Sequence, residues 1–190
     1  MSSIALSSTT LTSTTFESAP ADRSTRHAVV ATPIGELTVV RDQQGLTGIY
    51  FPEHWTHPDR SRFGPQVDPS DGFGAVVDQL DAYFAGERHE FDLPLTPHGS
   101  ERAQQVWRLI GEIPYGRTTT YGALAEQVGQ GISARAIGGF VGHNPLSIVV
   151  PCHRVVGSTG RLTGYAGGLE RKEYLLMLEG AHPEATNPLW

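Results

Sequence analysis

The sequence predicts an α+β protein in two parts. A small N-terminal α/β domain is built on a three-stranded antiparallel sheet, and a mostly helical domain with a helix-turn-helix follows. Three observations lead there. Short β-rich runs separated by turn residues fill residues 27–51. Apolar residues then recur at helical spacing twice, over 73–84 and over 103–113. Beyond them, two compact helical stretches flank the turn Gly129-Gln130-Gly131.

The first 26 residues are rich in Ser and Thr and read as a flexible tail. No basic stretch precedes an apolar one there, so a secretory signal is not expected. His27 to Thr32, Leu37 to Val40 and Leu46 to Phe51 are the three strands. Pro33-Ile34-Gly35 and Asp42-Gln43-Gln44-Gly45 are the turns between them. His54 to Gly72 is rich in Pro, Asp and Gly and reads as a loop. Phe73, Val76, Val77, Leu80, Tyr83 and Phe84 form one face of a helix that Gly86 ends. Phe91 to Leu95 reads as one more strand, and Thr96-Pro97-His98-Gly99 as the boundary, giving domains over 27–97 and 98–182.

Ser100 is the expected N-cap of the next helix, whose apolar face is Ala103, Val106, Trp107, Ile110 and Ile113. Thr118 to Thr120 is short and β-branched. A helix over Tyr121 to Val128 follows, and Ser133 caps another over Ala134 to about Val141. An ordinary helical hairpin would share this spacing. Arg135 in the first turn of the second helix, among Ala134, Ala136, Gly138 and Gly139, favours a surface that approaches a duplex closely. His143-Asn144-Pro145 stops this helix, and Ile148 to Val150 reads as a buried strand running into Pro151 and Cys152. A glycine-rich loop over 157–168, a closing helix over Leu169 to Leu178 and a tail from residue 183 complete the chain.

The net charge of −6 argues against nucleic acid only until its distribution is read. Residues 1–100 carry 13 acidic and six basic side chains, whereas residues 102–161 carry six arginines against Glu112 and Glu126. The half around Cys152 is the basic half, a modest electrostatic footprint for DNA. No apolar run reaches the roughly 20 residues of a membrane span. The single cysteine forms no internal disulfide, which suits a reducing compartment, and a cytoplasmic location is expected.

Cys152 is the candidate nucleophile. A lone cysteine is usually a small buried hydrophobe. Here a histidine and an arginine follow it directly, and a cation or a base nearby lowers a thiol's pKa. On a strand His153 would point away from the thiol, so a bridging water is expected. A base of this kind needs an orienting group, for which Glu179, Glu173 and Glu170 are all open. His54 and His57 are the only close histidine pair, without further ligands at metal spacing, so no metal site is expected. No phosphate-binding glycine motif indicates a nucleotide, and no cofactor is expected.

Pro151-Cys152-His153-Arg154-Val155 resembles the active-site signature of the O6-alkylguanine-DNA alkyltransferases, the methylated-DNA–protein-cysteine methyltransferase family. Similarity continues through Tyr121, Ala134-Arg135-Ala136-Ile137-Gly138-Gly139, Asn144-Pro145, Gly164-Tyr165-Ala166-Gly167-Gly168, Lys172 and Leu178-Glu179-Gly180, over residues 100–180. The resemblance implies a ribonuclease H-like N-terminal domain and a winged-helix-like second domain. It implies irreversible single-turnover transfer of an alkyl group from O6-alkylguanine, and from O4-alkylthymine, in double-stranded DNA. Cys152 is the implied acceptor, His153 its base through a water, Glu179 the group orienting His153, and Asn144 the brace between helix-turn-helix and active-site segment. Arg135 is implied to fill the gap left by the extruded nucleotide and Tyr121 to help rotate it, with Ala134, Ala136 and Gly138 against the backbone. Tyr165, Ala166, Val155, Lys172 and Tyr121 are the implied substrate pocket. Ala166 stands where some members carry a hydroxyl residue. A monomer is expected. Three other readings compete: a damage-sensing alkyltransferase-like protein without turnover, whose known forms lack the cysteine that is present here; a helix-turn-helix regulator with an inert cysteine; and a cysteine hydrolase.

Overall fold

The structure, a computed structural model, describes residues 25–181. The expected tails lie outside the described residues except for Thr25 and Arg26. Strands β1 (Arg26–Val30), β2 (Leu37–Arg41) and β3 (Leu46–Tyr50) form an antiparallel meander in the order β1-β2-β3. β1 spans 26–30 instead of the expected 27–32, because Gly35 N–H bonds Thr32 O at 3.0 Å and turns the chain early. Asp42 Oδ1 accepts from the N–H of Gln44 and Gly45 and so shapes the second turn.

Ala28 pairs with Val39, and Val39 with Ile49; all three are fully buried on the inner face. Helix α1 (Gly74–Phe84) adds Val76, Leu80 and Tyr83 to the same core. Each such side chain contributes roughly 2 kcal/mol through burial. The strand expected over Phe91–Leu95 is absent. That segment makes a single parallel bridge, Leu46 to Leu95, with Leu46 N–H on Pro94 O and Thr96 N–H on Leu46 O. Pro94 has no N–H with which to extend a ladder.

In the second half, α2 (Glu101–Gly111) starts at Ser100, whose hydroxyl accepts from Ala103 N–H. Helix α3 (Tyr121–Val128) is capped by Thr120, and α4 (Ala134–Gly142) by Ser133, whose oxygen accepts from Ala136 N–H. Gly129, Gln130 and Gly131 all take positive φ between α3 and α4, a run that two glycines make feasible. Trp107 Nε1–H donates to Phe140 O and braces α4 against α2. Strand β4 (Thr119–Thr120) pairs in parallel with β5 (Val155–Val156), and α5 (Leu169–Leu178) closes the fold.

Ile148–Val150 is not a strand. The segment is a tight turn in which Ile148 takes φ 73°, and Cys152–Arg154 forms a single 3₁₀ turn. The apolar, β-branched run is buried because the turn lies inside the protein. Ile49 N–H bonds Pro145 O, and Ser147 N–H bonds Ile49 O, which docks the turn onto β3. One apolar core runs unbroken from Ala28 in β1 to Leu175 in α5, so the two halves share an interior.

Candidate functional site

Cys152 opens the 3₁₀ turn and is 4% exposed. Its position depends on Asn144, which is 1% exposed. Asn144 Nδ2–H donates to Val150 O at 2.8 Å, and its Oδ1 accepts from Leu146 N–H at 3.1 Å. Those two bonds fix the strained turn at both ends and bring α4 to the cysteine. Burial pushes the Cys152 thiol up, against the pull of a hydrogen bond from Asn144 and of the Lys172 charge. A thiol held protonated needs a base at the moment it reacts.

His153 is completely buried next to it. Its Nε2–H donates to Glu179 Oε1 at 2.8 Å, and its Nδ1 is buried without a hydrogen-bond partner. The Glu179 carboxylate also accepts from Tyr83 Oη–H at 2.6 Å, from Arg154 Nε–H at 2.8 Å and Nη2–H at 2.9 Å, and from Gly116 N–H at 3.3 Å. Burial alone would raise this carboxyl, but His153 and Arg154 outweigh it and hold it down at about 2. The same burial depresses His153 and outweighs Glu179's opposite pull, so the imidazole is neutral. An ionised Glu179 then fixes the tautomer: the proton sits on Nε2, and the Nδ1 lone pair is left as the acceptor. Of the three candidate carboxylates, Glu179 is the one bonded to His153.

The expected cation beside the thiol needs correcting. Arg154 serves Glu179 through a buried two-pronged pair and also donates to Ile113 O. The cation felt by Cys152 is Lys172, which is fully buried. Its Nζ donates to Val155 O at 2.6 Å and Thr163 O at 2.9 Å, and burial brings it down to about 8.

A cavity of about 630 Å³ is lined by Trp55, Tyr121, Arg135, Gly138, Thr163 and Tyr165 among others; Cys152 and His153 are buried and stand outside its lining. Ala134 also reaches its wall, whereas Ala136 is on the exposed face of α4. Of the expected pocket residues, Tyr121 and Tyr165 line the cavity. Val155, Ala166 and Lys172 are buried and stand outside the lining. Tyr165 Oη is buried without a partner, and its ring meets the His153 ring edge-on at 6.4 Å. Burial first, then the Cys152 charge, pushes its phenol well up, which keeps it a neutral donor. Thr163 Oγ1–H donates to Tyr121 Oη at 3.1 Å across the rim.

Sequence reasoning missed Tyr83, Trp55 and Thr163. Tyr83 sits in an apolar helical repeat that marks it only as core, and Trp55 lies in a loop without periodicity. Neither contact has a sequence signal, because both are made with residues far along the chain. Among the described residues no group of three or more His, Cys, Asp or Glu side chains is placed to hold a metal.

Two family models match the chain. The ribonuclease-like domain of 6-O-methylguanine DNA methyltransferase covers residues 25–97, and the DNA-binding domain of the same family covers 101–181. A methylated-DNA–protein-cysteine methyltransferase of Mycolicibacterium paratuberculosis is 48% identical over 86% of this chain and 98% of its own length. One from Mycobacterium tuberculosis is 45% identical over the same shares. A crystal structure of the M. tuberculosis O6-methylguanine methyltransferase superposes with TM-score 0.75 at 44% identity, covering 83% of this chain and 93% of that one. The M. tuberculosis protein in complex with DNA gives TM-score 0.74 at 43% identity, covering 82% and 93%.

Proposed function

The chain belongs to the 6-O-methylguanine DNA methyltransferase family, and we propose that it repairs DNA by moving the alkyl group of O6-alkylguanine onto Cys152. The observation that carries the assignment of residues is the 2.8 Å bond from His153 Nε2–H to Glu179, with Nδ1 left unpartnered beside the cysteine. The Cys152 proton passes through a water to His153 Nδ1. The sulfur attacks the alkyl carbon, an S–C bond forms, the C–O6 bond breaks, and its electron pair leaves on the guanine. Displacement at saturated carbon suits a soft thiolate. The thioether is stable and Cys152 is the one cysteine of the chain, so each molecule acts once.

The target atom is stacked inside the duplex, so the base has to leave it, at a cost of a few kcal/mol. Arg135, exposed in the first turn of α4, takes the vacated place. Tyr121 crowds the target phosphate, and Tyr165, whose hydroxyl is buried without a partner, lines the cavity. Ala134, Ala136 and Gly138 keep the helix low against the backbone, where shape and charge matter more than sequence. The relay behind Cys152 separates this reading from a damage sensor without turnover. No described helix is long and apolar enough to cross a membrane. We place the protein in the cytoplasm, where its one thiol stays reduced.

Incubation with duplex DNA containing O6-methylguanine, followed by peptide mass spectrometry, tests the proposal. One methyl on Cys152 per molecule is expected. An unmodified Cys152, or turnover beyond one equivalent, overturns it.

A further inference from the structure

We infer that Trp55 is a substrate-contacting residue whose ring forms the outer wall of the cavity and packs on the face of the extruded alkylated base. The inference rests on the alkyl-transfer reading above. Trp55 comes from the N-terminal half, whereas the other residues lining this cavity all come from the second half. It is 53% exposed, whereas Phe63, the other large aromatic of the same loop, is buried. Its ring shares one cavity with Tyr121 and Tyr165, and a contiguous apolar surface of this kind marks a binding groove.

One backbone bond and two ring contacts hold Trp55 in place. Trp55 N–H donates to Ala166 O at 3.2 Å, which ties its backbone to the loop behind the cavity. Its ring meets His143 edge-on, with centroids 5.6 Å apart. Gly142 gives it room, because a Cβ there would lie 2.8 Å from Trp55 Cζ2. Trp55 therefore joins the end of α4, through its ring, to the glycine-rich loop, through its backbone, and both elements line the cavity.

An aromatic ring fixed in advance loses little freedom when a ligand stacks on it. The chemistry of the cavity selects the occupant. Tyr121 and Tyr165 add aromatic surface, and Tyr165 Oη is a buried hydroxyl still waiting for a partner. A planar heterocycle covers this aromatic surface with its face, and a phosphate does not. Base–aromatic stacking tolerates any base, so Trp55 contributes affinity for a flipped base rather than a choice among bases.

The test compares second-order alkyl transfer from O6-methylguanine duplex and from free O6-methylguanine base, with affinity for undamaged duplex measured alongside. Trp55→Ala is expected to slow transfer about tenfold on both substrates, the scale of one lost base–aromatic stack, and to leave undamaged-duplex affinity unchanged. Trp55→Phe restores most of the rate. Gly142→Ala displaces the ring, so it slows transfer in the native background and adds nothing to Trp55→Ala. Unchanged transfer from free base, a Phe variant no better than Ala, or additive losses at 55 and 142 overturn the inference alone. Absence of transfer by the unsubstituted protein overturns the alkyl-transfer reading, and the inference falls with it.

Discussion

Tyr83 Oη–H donates a 2.6 Å hydrogen bond to Glu179 Oε1 across 96 residues of sequence. One partner is on α1 of the N-terminal half, and the other caps the C-terminal end of α5. The carboxylate that orients His153 is therefore held from both halves of the molecule. The N-terminal domain is part of the support of the site as well as a neighbour to it.

Tyr83→Phe keeps the ring and its packing but removes this donor. A hydrogen bond to a charged group contributes about 2 kcal/mol. Urea unfolding is expected to show a loss of that size with an unchanged m-value. Alkyl transfer should slow a few-fold, because Arg154 and His153 still hold Glu179. Unaltered stability and rate would mean that Tyr83 is filling space alone.

The pH dependence of stability has a definite sign. Glu179 is held near 2 when folded, below the ordinary carboxylate value, so its contribution is complete above about 4.5 and is lost as pH falls toward 2. His153 is depressed when folded, so the unfolded chain binds its proton first and stability begins to fall once pH drops below about 6.5. Both effects act in the same direction. Denaturation midpoints measured from pH 7 downward should decline in two stages, and Glu179→Gln should flatten the lower one. The same substitution leaves Arg154 buried without its counter-charge, a loss of about 3–5 kcal/mol. It should slow methylation of Cys152 while DNA affinity remains nearly intact. A large loss of DNA binding would make Glu179 a structural residue.

How much of this was legible in the sequence follows from the range of each interaction. The helices over 101–111, 121–128 and 134–142 are written locally, in Ser100 and Ser133 as caps and in apolar spacing. Ile148 to Val150 misleads, because a β-branched apolar run signals burial without saying whether the buried backbone is extended. The positive φ of Ile148 is imposed by Asn144 and by β3, both outside the run. Phe91 to Leu95 misleads through Pro94, a local signal that the apolar pattern around it obscures. Cys152, His153 and Glu179 were legible as residue types, whereas the 2.8 Å bond between the last two was not. The sequence places Arg154 near the thiol, but its guanidinium pairs with Glu179 instead.

Arg135→Ala separates base extrusion from chemistry. Arg135 is exposed, so stability should change by less than about 0.5 kcal/mol. Transfer from duplex DNA should slow far more than transfer from free alkylguanine, which needs no extrusion. A plot of rate on each substrate against ionic strength distinguishes this from a lost phosphate contact, which would weaken all DNA binding and lessen its salt dependence. Equal slowing on both substrates would remove Arg135 from the extrusion role.

Asn144→Ala tests whether the turn before Cys152 is held by its side chain or by packing alone. Two buried hydrogen bonds disappear, leaving Val150 O and Leu146 N–H without these partners in a dry interior. Ile148 stays in a left-handed conformation that costs on the order of 1–3 kcal/mol when nothing else enforces it. The variant should therefore lose about 2–4 kcal/mol and place Cys152 less uniformly. A second consequence is chemical. Removing the hydrogen bond that favours the thiolate raises the thiol further, so the rate of Cys152 modification by a small alkylating reagent should need a higher pH to reach half its maximum. Asn144→Asp provides the control: its Oδ1 still accepts from Leu146, but a carboxylate cannot donate to Val150 O and it repels the thiolate. If both variants keep the native pH profile, Asn144 does not act on the thiol, and the strained turn is held by β3 through Ile49.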